Sequence, residues 1–249
     1  YGGVRNSFGT DFAILCQLEI DKKTVLISDK SWSASQEGPL GLNDLMQGEC
    51  YDARKENICE WHPVTEKQFG YENLVCSNSF DVVEKENFIG KQIHTPNGEF
   101  VIDFGQNIAG YVKFGFYAQA GQCITLYHGE CLDQNGNFTQ ENFQAPEHRV
   151  EQCVKYICKE GWNEYKPEKS IFGFRYIKAI TDVKVTEKNF TAIAVYSDMP
   201  QTGKFECGHP GINQLFSNAV WSMKGNFLEI PTDCPTRERT GFTGDAQVF

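Results

Sequence analysis

"EFVIDFGQNIAGYVKFGFYAQAGQCITLYHGE", residues 99–130, is the stretch that decides the fold. Apolar and aromatic residues fill it, and glycines interrupt it at intervals too short for a helix of ordinary length. It reads as three short strands separated by glycine turns, entered through the turn "PNG" at 96–98. Neighbouring stretches repeat the cadence. "FGFRYIKAI" (172–180) and "FTAIAVYSD" (190–198) read as strands. In "HRVEQCVKYIC" (148–158), Val150, Val154, Tyr156 and Cys158 share one phase, and Gln152 interrupts it. Nearer the N-terminus, Phe12, Ile14, Cys16, Leu18 and Ile20 recur at period two. "DKK" (21–23) then turns the chain into "TVLISD" (24–29), which predicts a hairpin. Residues 30–60 are turn-rich, with "EGPLG" as a loop signal. Short strands at regular spacing imply an all-β sandwich and not βαβ units.

The period changes after Pro200. In "HPGINQLFSNAVWSMKGNFLEI" (209–230), Ile212, Leu215, Phe216, Ala219, Val220, Met223 and Phe227 fall on one helical face. Pro210 suits the first helical turn, where its missing N–H costs nothing. That face is expected to pack in a core. The expected architecture is therefore mainly β, with boundaries near residues 85 and 200. These divide the chain into a partial N-terminal β-sandwich domain (1–85), a second β-sandwich domain (86–200) and the start of a helical domain (201–249).

Composition narrows the function. The net charge of −10 disfavours nucleic acid or an anionic membrane as partner, and no apolar run is long enough to span a bilayer. Aromatics at 13% suit β-structure and a surface on which sugars stack. The 10 Cys form no Cys-x-x-Cys pair and no zinc-like spacing with His, so no metal is expected, and with no P-loop or dinucleotide fingerprint no cofactor is expected either. Buried reduced thiols and a cytoplasmic setting are the expectation. The opening "YGGVRNSFG" reads as the interior of a longer protein, so the lack of a signal peptide says little about compartment.

Chemistry concentrates in "PTDCPTRERTGFTGDAQVF", residues 231–249. Asp233, Glu238 and Asp245 supply carboxylates, and Pro235, Gly241 and Gly244 bend the backbone that carries them. A glycosidase needs two carboxyl groups flanking a sugar, one of them an acid with a raised pKa. On such a loop Arg237 and Arg239 are expected to hold neighbouring carboxylates ionised while Glu238 keeps its proton. A solvated polar loop with local ion pairs remains open on pattern alone. "DFGQN" (103–107) is read as a strand end and a glycine turn capped by Asn107; the glycine-rich loop and His-Arg-Asp loop of a kinase are missing. The five His are scattered, and "HGE" (128–130) ends a strand without an evident partner.

The tail resembles the signature Asp-Cys-Pro-x-Arg-Glu-Arg-x-Gly-Trp-x-Gly-Asp-Ala-Gln of bacterial α-L-rhamnosidases, glycoside hydrolase family 78. "SDKSWSASQEGPL" and "GECYDAR" resemble the end of that family's N-terminal β-domain. "DFGQNIAGYVKF", "AGQCITLYHGECLDQNGNF" and "FGFRYIKA" resemble its following β-sandwich. "GKFECGHPGINQLFSNAVWSMKGNF" resembles the entry to its catalytic (α/α)6 barrel. The resemblance implies an inverting hydrolase that removes terminal α-L-rhamnose from a rhamnose-containing carbohydrate. It implies Glu238 as general acid, Asp233 and Asp245 on rhamnose hydroxyls, and Arg237 in support of the pocket. Phe242 stands where the family has Trp, which keeps an aromatic wall and loses the indole N–H. The family's general base lies downstream of these 249 residues, so the chain alone is expected to be inactive. A non-catalytic carbohydrate-binding or scaffolding β-module is the alternative.

Overall fold

A computed structural model describes residues 13–44, 47–57, 60–68, 70–77, 79–144 and 151–241, with positions 244 and 247. The strands run in chain order as β1 (Gln17–Ile20), β2 (Lys23–Ile27), β3 (Ser33–Ala34), β4 (Leu40–Asp44), β5 (Gly48–Asp52), β6 (His62–Pro63), β7 (Val82–Ile89) and β8 (Lys91–Ile93). There follow β9 (Phe100–Ala118), β10 (Cys123–Gly129), β11 (Cys153–Ile157), β12 (Gly161–Tyr165), β13 (Phe172–Thr181) and β14 (Phe190–Ser197). Helix α1 (Pro210–Gly225) comes next, then the short pair β15 (Phe227–Leu228) and β16 (Ile230–Pro231).

The expected hairpin is present: β1 pairs antiparallel with β2 through a turn in which Asp21 and Lys22 both have positive φ, 51° and 64°. The main sheet runs β4-β5-β11-β10-β13-β9-β14-β7, with β8 and β12 also paired to β9, and it curls around the core. β5 joins in parallel with β11, and β7 itself spans residue 85. The sheet thus draws on chain from both sides of that position.

Residues 99–130 make two strands where the sequence suggested three. Gly105 (φ 79°) does not turn the chain back; it kinks a single 19-residue strand, opposite the register shift between Phe174 and Tyr176 in β13. The kink costs no phase: Ile102, Phe104, Ile108, Val112, Phe114 and Phe116 are all buried, and all lie at even positions. At about 3.3 Å per residue β9 is about 60 Å long. That length lets its first half pair with β8 and β13 while its second half pairs with β14 and β12. Asp103, in the rejected kinase-like triplet, is a structural ion-pair partner of Arg175 at 2.8 and 2.7 Å.

Aromatics fill the core. Phe114 meets Tyr156 edge-on at 5.3 Å, and Phe104 meets Phe174 the same way at 5.9 Å. Each such pair adds about 1 kcal/mol beyond its buried area. Helix α1 begins as the sequence predicts, with Pro210 in its first turn and His209 as N-cap. Its apolar stripe, however, does not pack in a core here. Ile212, Leu215 and Met223 are exposed, and the helix touches the sandwich along its other side, where Trp221 meets Phe88 at 5.7 Å and Lys224 pairs with Glu86 at 2.7 Å. The sequence expectation fails because periodicity reveals an apolar face but not what lies against it. The nine described cysteines are all free thiols.

Candidate active site

The polar tail becomes a loop held at both ends. The β15–β16 turn at Glu229 (φ 71°) brings the chain back over the end of α1, and Thr232 N–H donates to Asn226 O at 2.7 Å. Asp233 N–H then donates to Thr240 O at 3.1 Å, and Thr240 N–H returns a bond to Asp233 Oδ1 at 3.0 Å. Residues 233–240 are closed into a small ring by these two bonds, and Asp233 and Glu238 face each other across Cys234. The Cys234 thiol lies 3.4 Å from Asp233 Oδ2 and 3.2 Å from Glu238 Oε2, and its sulfur accepts from Arg237 N–H at 3.3 Å. Ligand atoms of Asp233, Cys234 and Glu238 fall within 4.8 Å of one another. Arg237 already offers a cation to this group, so the closeness needs no metal to balance it.

The protonation expected for Glu238 is corrected by this geometry. Arg237 pairs with Glu238 itself, donating from Nε to Oε1 at 2.6 Å with Nη2 also in contact. That guanidinium, helped by the Cys234 thiol, pushes the Glu238 carboxyl down to about 2 against the opposing effect of burial. In this arrangement Glu238 is held as a carboxylate. The two groups stand adjacent on the loop, with Arg237 exposed and Glu238 half-buried.

Arg239 takes a different path from Arg237. With φ at 53° its side chain runs down into the sandwich, where Nη2 donates to Gln152 Oε1 at 3.3 Å and the guanidinium lies 5.9 Å above the Phe172 ring. Burial lowers its pKa to about 10, and the charges of Cys234 and Asp44 oppose that fall. Beneath it, His128 is fully buried, stacked on Phe172 at 4.1 Å, with Nδ1 at 2.9 Å from Gln152 O. Burial pushes the imidazole down to about 4. Pro235 and Thr236 rest on Gly173: an ideal Cβ there would meet Thr236 Cγ2 at 2.4 Å and Pro235 Cγ at 2.8 Å. The third residue of "HGE" does find partners. Asn142 Nδ2 donates to Glu130 Oε2 at 3.0 Å and Asn107 Nδ2 to Oε1 at 3.5 Å, while burial raises its pKa.

Of the residues predicted for the site, the structure brings together Asp233, Arg237 and Glu238. Phe242 and Asp245 lie outside the described residues. Sequence reasoning missed Cys234 as the bridge between the carboxylates, and it missed Gln152 and Gly173 as the seat of the loop. One signal was available: Gln152 broke an otherwise apolar phase.

A curled β-sheet followed by a helix and a loop that carries two carboxylates matches the β-domains and helical start of glycosidases. Three family models match it in tandem: the α-L-rhamnosidase N-terminal domain over residues 1–87, the bacterial α-L-rhamnosidase concanavalin-like domain over 93–196, and the bacterial α-L-rhamnosidase six-hairpin glycosidase domain over 200–249. The chain belongs to the bacterial α-L-rhamnosidase family. It is 33% identical to an α-L-rhamnosidase of Formosa agariphila over 259 aligned positions, covering 95% of this chain and 27% of that protein. Among solved structures it resembles the Streptomyces avermitilis α-L-rhamnosidase complexed with L-rhamnose, at TM-score 0.83 and 31% identity over 94% of this chain and 24% of that one. It also resembles native α-L-rhamnosidase from Aspergillus terreus, at TM-score 0.81 and 33% identity over 92% of this chain and 28% of that one. The chain therefore spans about a quarter of the length of the relatives it matches.

Proposed function

We propose that the protein containing this chain hydrolyses terminal α-L-rhamnosyl groups from glycosides or polysaccharides with inversion. The observation that carries this reading is the closed loop 233–240, which sets Asp233 and Glu238 on either side of Cys234. Glu238 is the general acid, protonating the leaving oxygen. Asp233 and Asp245 hold rhamnose hydroxyls, Arg237 supports the pocket, and Phe242 forms an aromatic wall. The base that activates water belongs roughly 6.5–9.5 Å from the acid and comes from the length that the relatives possess beyond this match. For Glu238 to act as an acid its contact with Arg237 has to loosen. Burial under the remaining wall of the site then favours the protonated form. The division at residues 85 and 200 separates supporting β-domains from the catalytic start in this reading.

The test is release of nitrophenol from a nitrophenyl α-L-rhamnoside by the protein expressed whole from the gene that encodes the chain. Hydrolysis is expected from the whole protein and absent from the 249-residue chain. Glu238→Gln is expected to abolish turnover without changing the melting temperature. Retained turnover in that variant sinks the acid role, and turnover by the isolated chain sinks the assignment of the base to a residue outside these 249.

A further inference from the structure

We infer that the β-sandwich is part of the catalytic apparatus, because Gln152 acts through Arg239 as the positioning residue for the loop that carries Glu238. The inference rests on the rhamnosidase reading of that loop. Gln152 is fully buried, and it sits in the left-handed region at φ 43°, where a side chain of this kind is rarely placed. Both ends of its side-chain amide and its backbone carbonyl are bonded. Oε1 accepts from Gly173 N–H at 3.1 Å, Nε2 donates to Gly173 O at 3.5 Å, and its backbone carbonyl accepts from both His128 N–H at 3.1 Å and the His128 ring at 2.9 Å. This fixes the amide orientation, so that Oε1 is the atom turned to Arg239 Nη2 at 3.3 Å.

The other end of the contact is equally constrained. Arg239 is itself left-handed, and it directly follows Glu238 in a ring of eight residues, 233–240, closed by the two Asp233–Thr240 bonds. In so short a closed loop, a shift at residue 239 is transmitted to residue 238. Thr236, buried on Gly173, prevents the loop from sliding along the sheet. A guanidinium placed under a loop of carboxylates is expensive to bury unless its donors are met, and Gln152 is an acceptor that adds no charge to the site. A buried amide thus stands immediately before β11, and what it does there is hold the loop. Displacement of a catalytic group by about 1 Å can cost on the order of 100-fold in rate, which is the scale on which such a tether acts.

The experiment uses the protein expressed whole. Gln152→Ala is expected to lower kcat on the nitrophenyl rhamnoside about 10- to 100-fold while KM stays within about twofold. Arg239→Met, made from the other side of the contact, is expected to do the same. The double variant is expected to be no worse than the poorer single variant, because both remove one coupling. Hydrogen–deuterium exchange of peptides covering 231–241 is expected to accelerate in Gln152→Ala, with peptides covering 123–129 and 175–181, which exclude the Gly173 amide bonded to Gln152, unchanged. Unchanged kcat, fully additive losses, or a loop whose exchange does not accelerate each overturn the inference. If the wild-type protein shows no rhamnosidase activity, the functional reading fails on its own. The exchange measurement still decides whether Gln152 holds the loop.

Discussion

Arg239 Nη2 reaches Gln152 Oε1 at 3.3 Å across 87 residues of sequence. The contact ties the loop beyond helix α1 to the start of β11 in the sandwich. It means that substitutions in the β-domain core propagate to the candidate site through a definable route, from His128 and Phe172 to Gln152 and then Arg239.

The first consequence is a pH dependence of stability. His128 is buried neutral with a folded-state pKa of about 4, against about 6.5 in an unfolded chain. Between those values the unfolded state binds the proton and the folded state does not, so stability rises with pH across that window. The contribution is fully present above about pH 6.5 and is lost as the pH falls toward 4. It amounts to about 3 kcal/mol. Urea unfolding at pH 7 and pH 4.5 checks it: the drop in wild type is expected to exceed that in His128→Phe, which keeps the stack on Phe172 but cannot titrate. Equal drops count against it.

The second concerns the ionisation of Glu238. The Arg237 guanidinium is the principal cause of its lowered pKa, ahead of the Cys234 thiol. Arg237→Met is expected to raise the Glu238 carboxyl from about 2 toward the ordinary carboxylate range. Carbon-detected NMR titration of the Glu238 carboxyl reads this directly. A titration that stays in place shows that Arg237 does not govern it.

A third test uses the seat of the loop. A Cβ at Gly173 would lie 2.4 Å from Thr236 Cγ2 and 2.8 Å from Pro235 Cγ, far inside contact distance. Gly173→Ala is expected to destabilise the chain by about 1–3 kcal/mol and to increase proteolysis within residues 231–241. A variant as stable and as resistant as wild type shows that the loop yields without cost.

Phe172 provides a fourth. It is completely buried, stacks on His128 and lies beneath Arg239. Phe172→Ala is expected to cost about 3–5 kcal/mol in denaturant unfolding, and Phe172→Leu distinctly less. If the two variants are equally destabilised, the volume of the ring is not what matters there.

Much of this protein was written in local sequence. Period-two alternation gave the β1–β2 hairpin and the buried phase of Val154, Tyr156 and Cys158, and the helical period behind Pro210 gave the start of α1, because pleat and helix geometry act over a few residues. The signature over 231–249 carried the family, since a dense run of carboxylates, guanidinium groups, Pro and Gly reflects chemistry more than packing. Tertiary structure decided what depends on contacts between distant residues. It made one kinked strand of Phe100–Ala118, because pairing with both β13 and β14 outweighs the turn preference of Gly105. It left the apolar stripe of α1 exposed, since a helical period names a face but not its neighbour. It paired Arg237 with Glu238 and sent Arg239 into the sandwich, a difference set by backbone φ that two identical residue types cannot announce. And it turned Gln152, in sequence only a break in a pattern, into the buried acceptor that holds the loop, because a polar residue in an apolar phase is stable only where the fold supplies its partners.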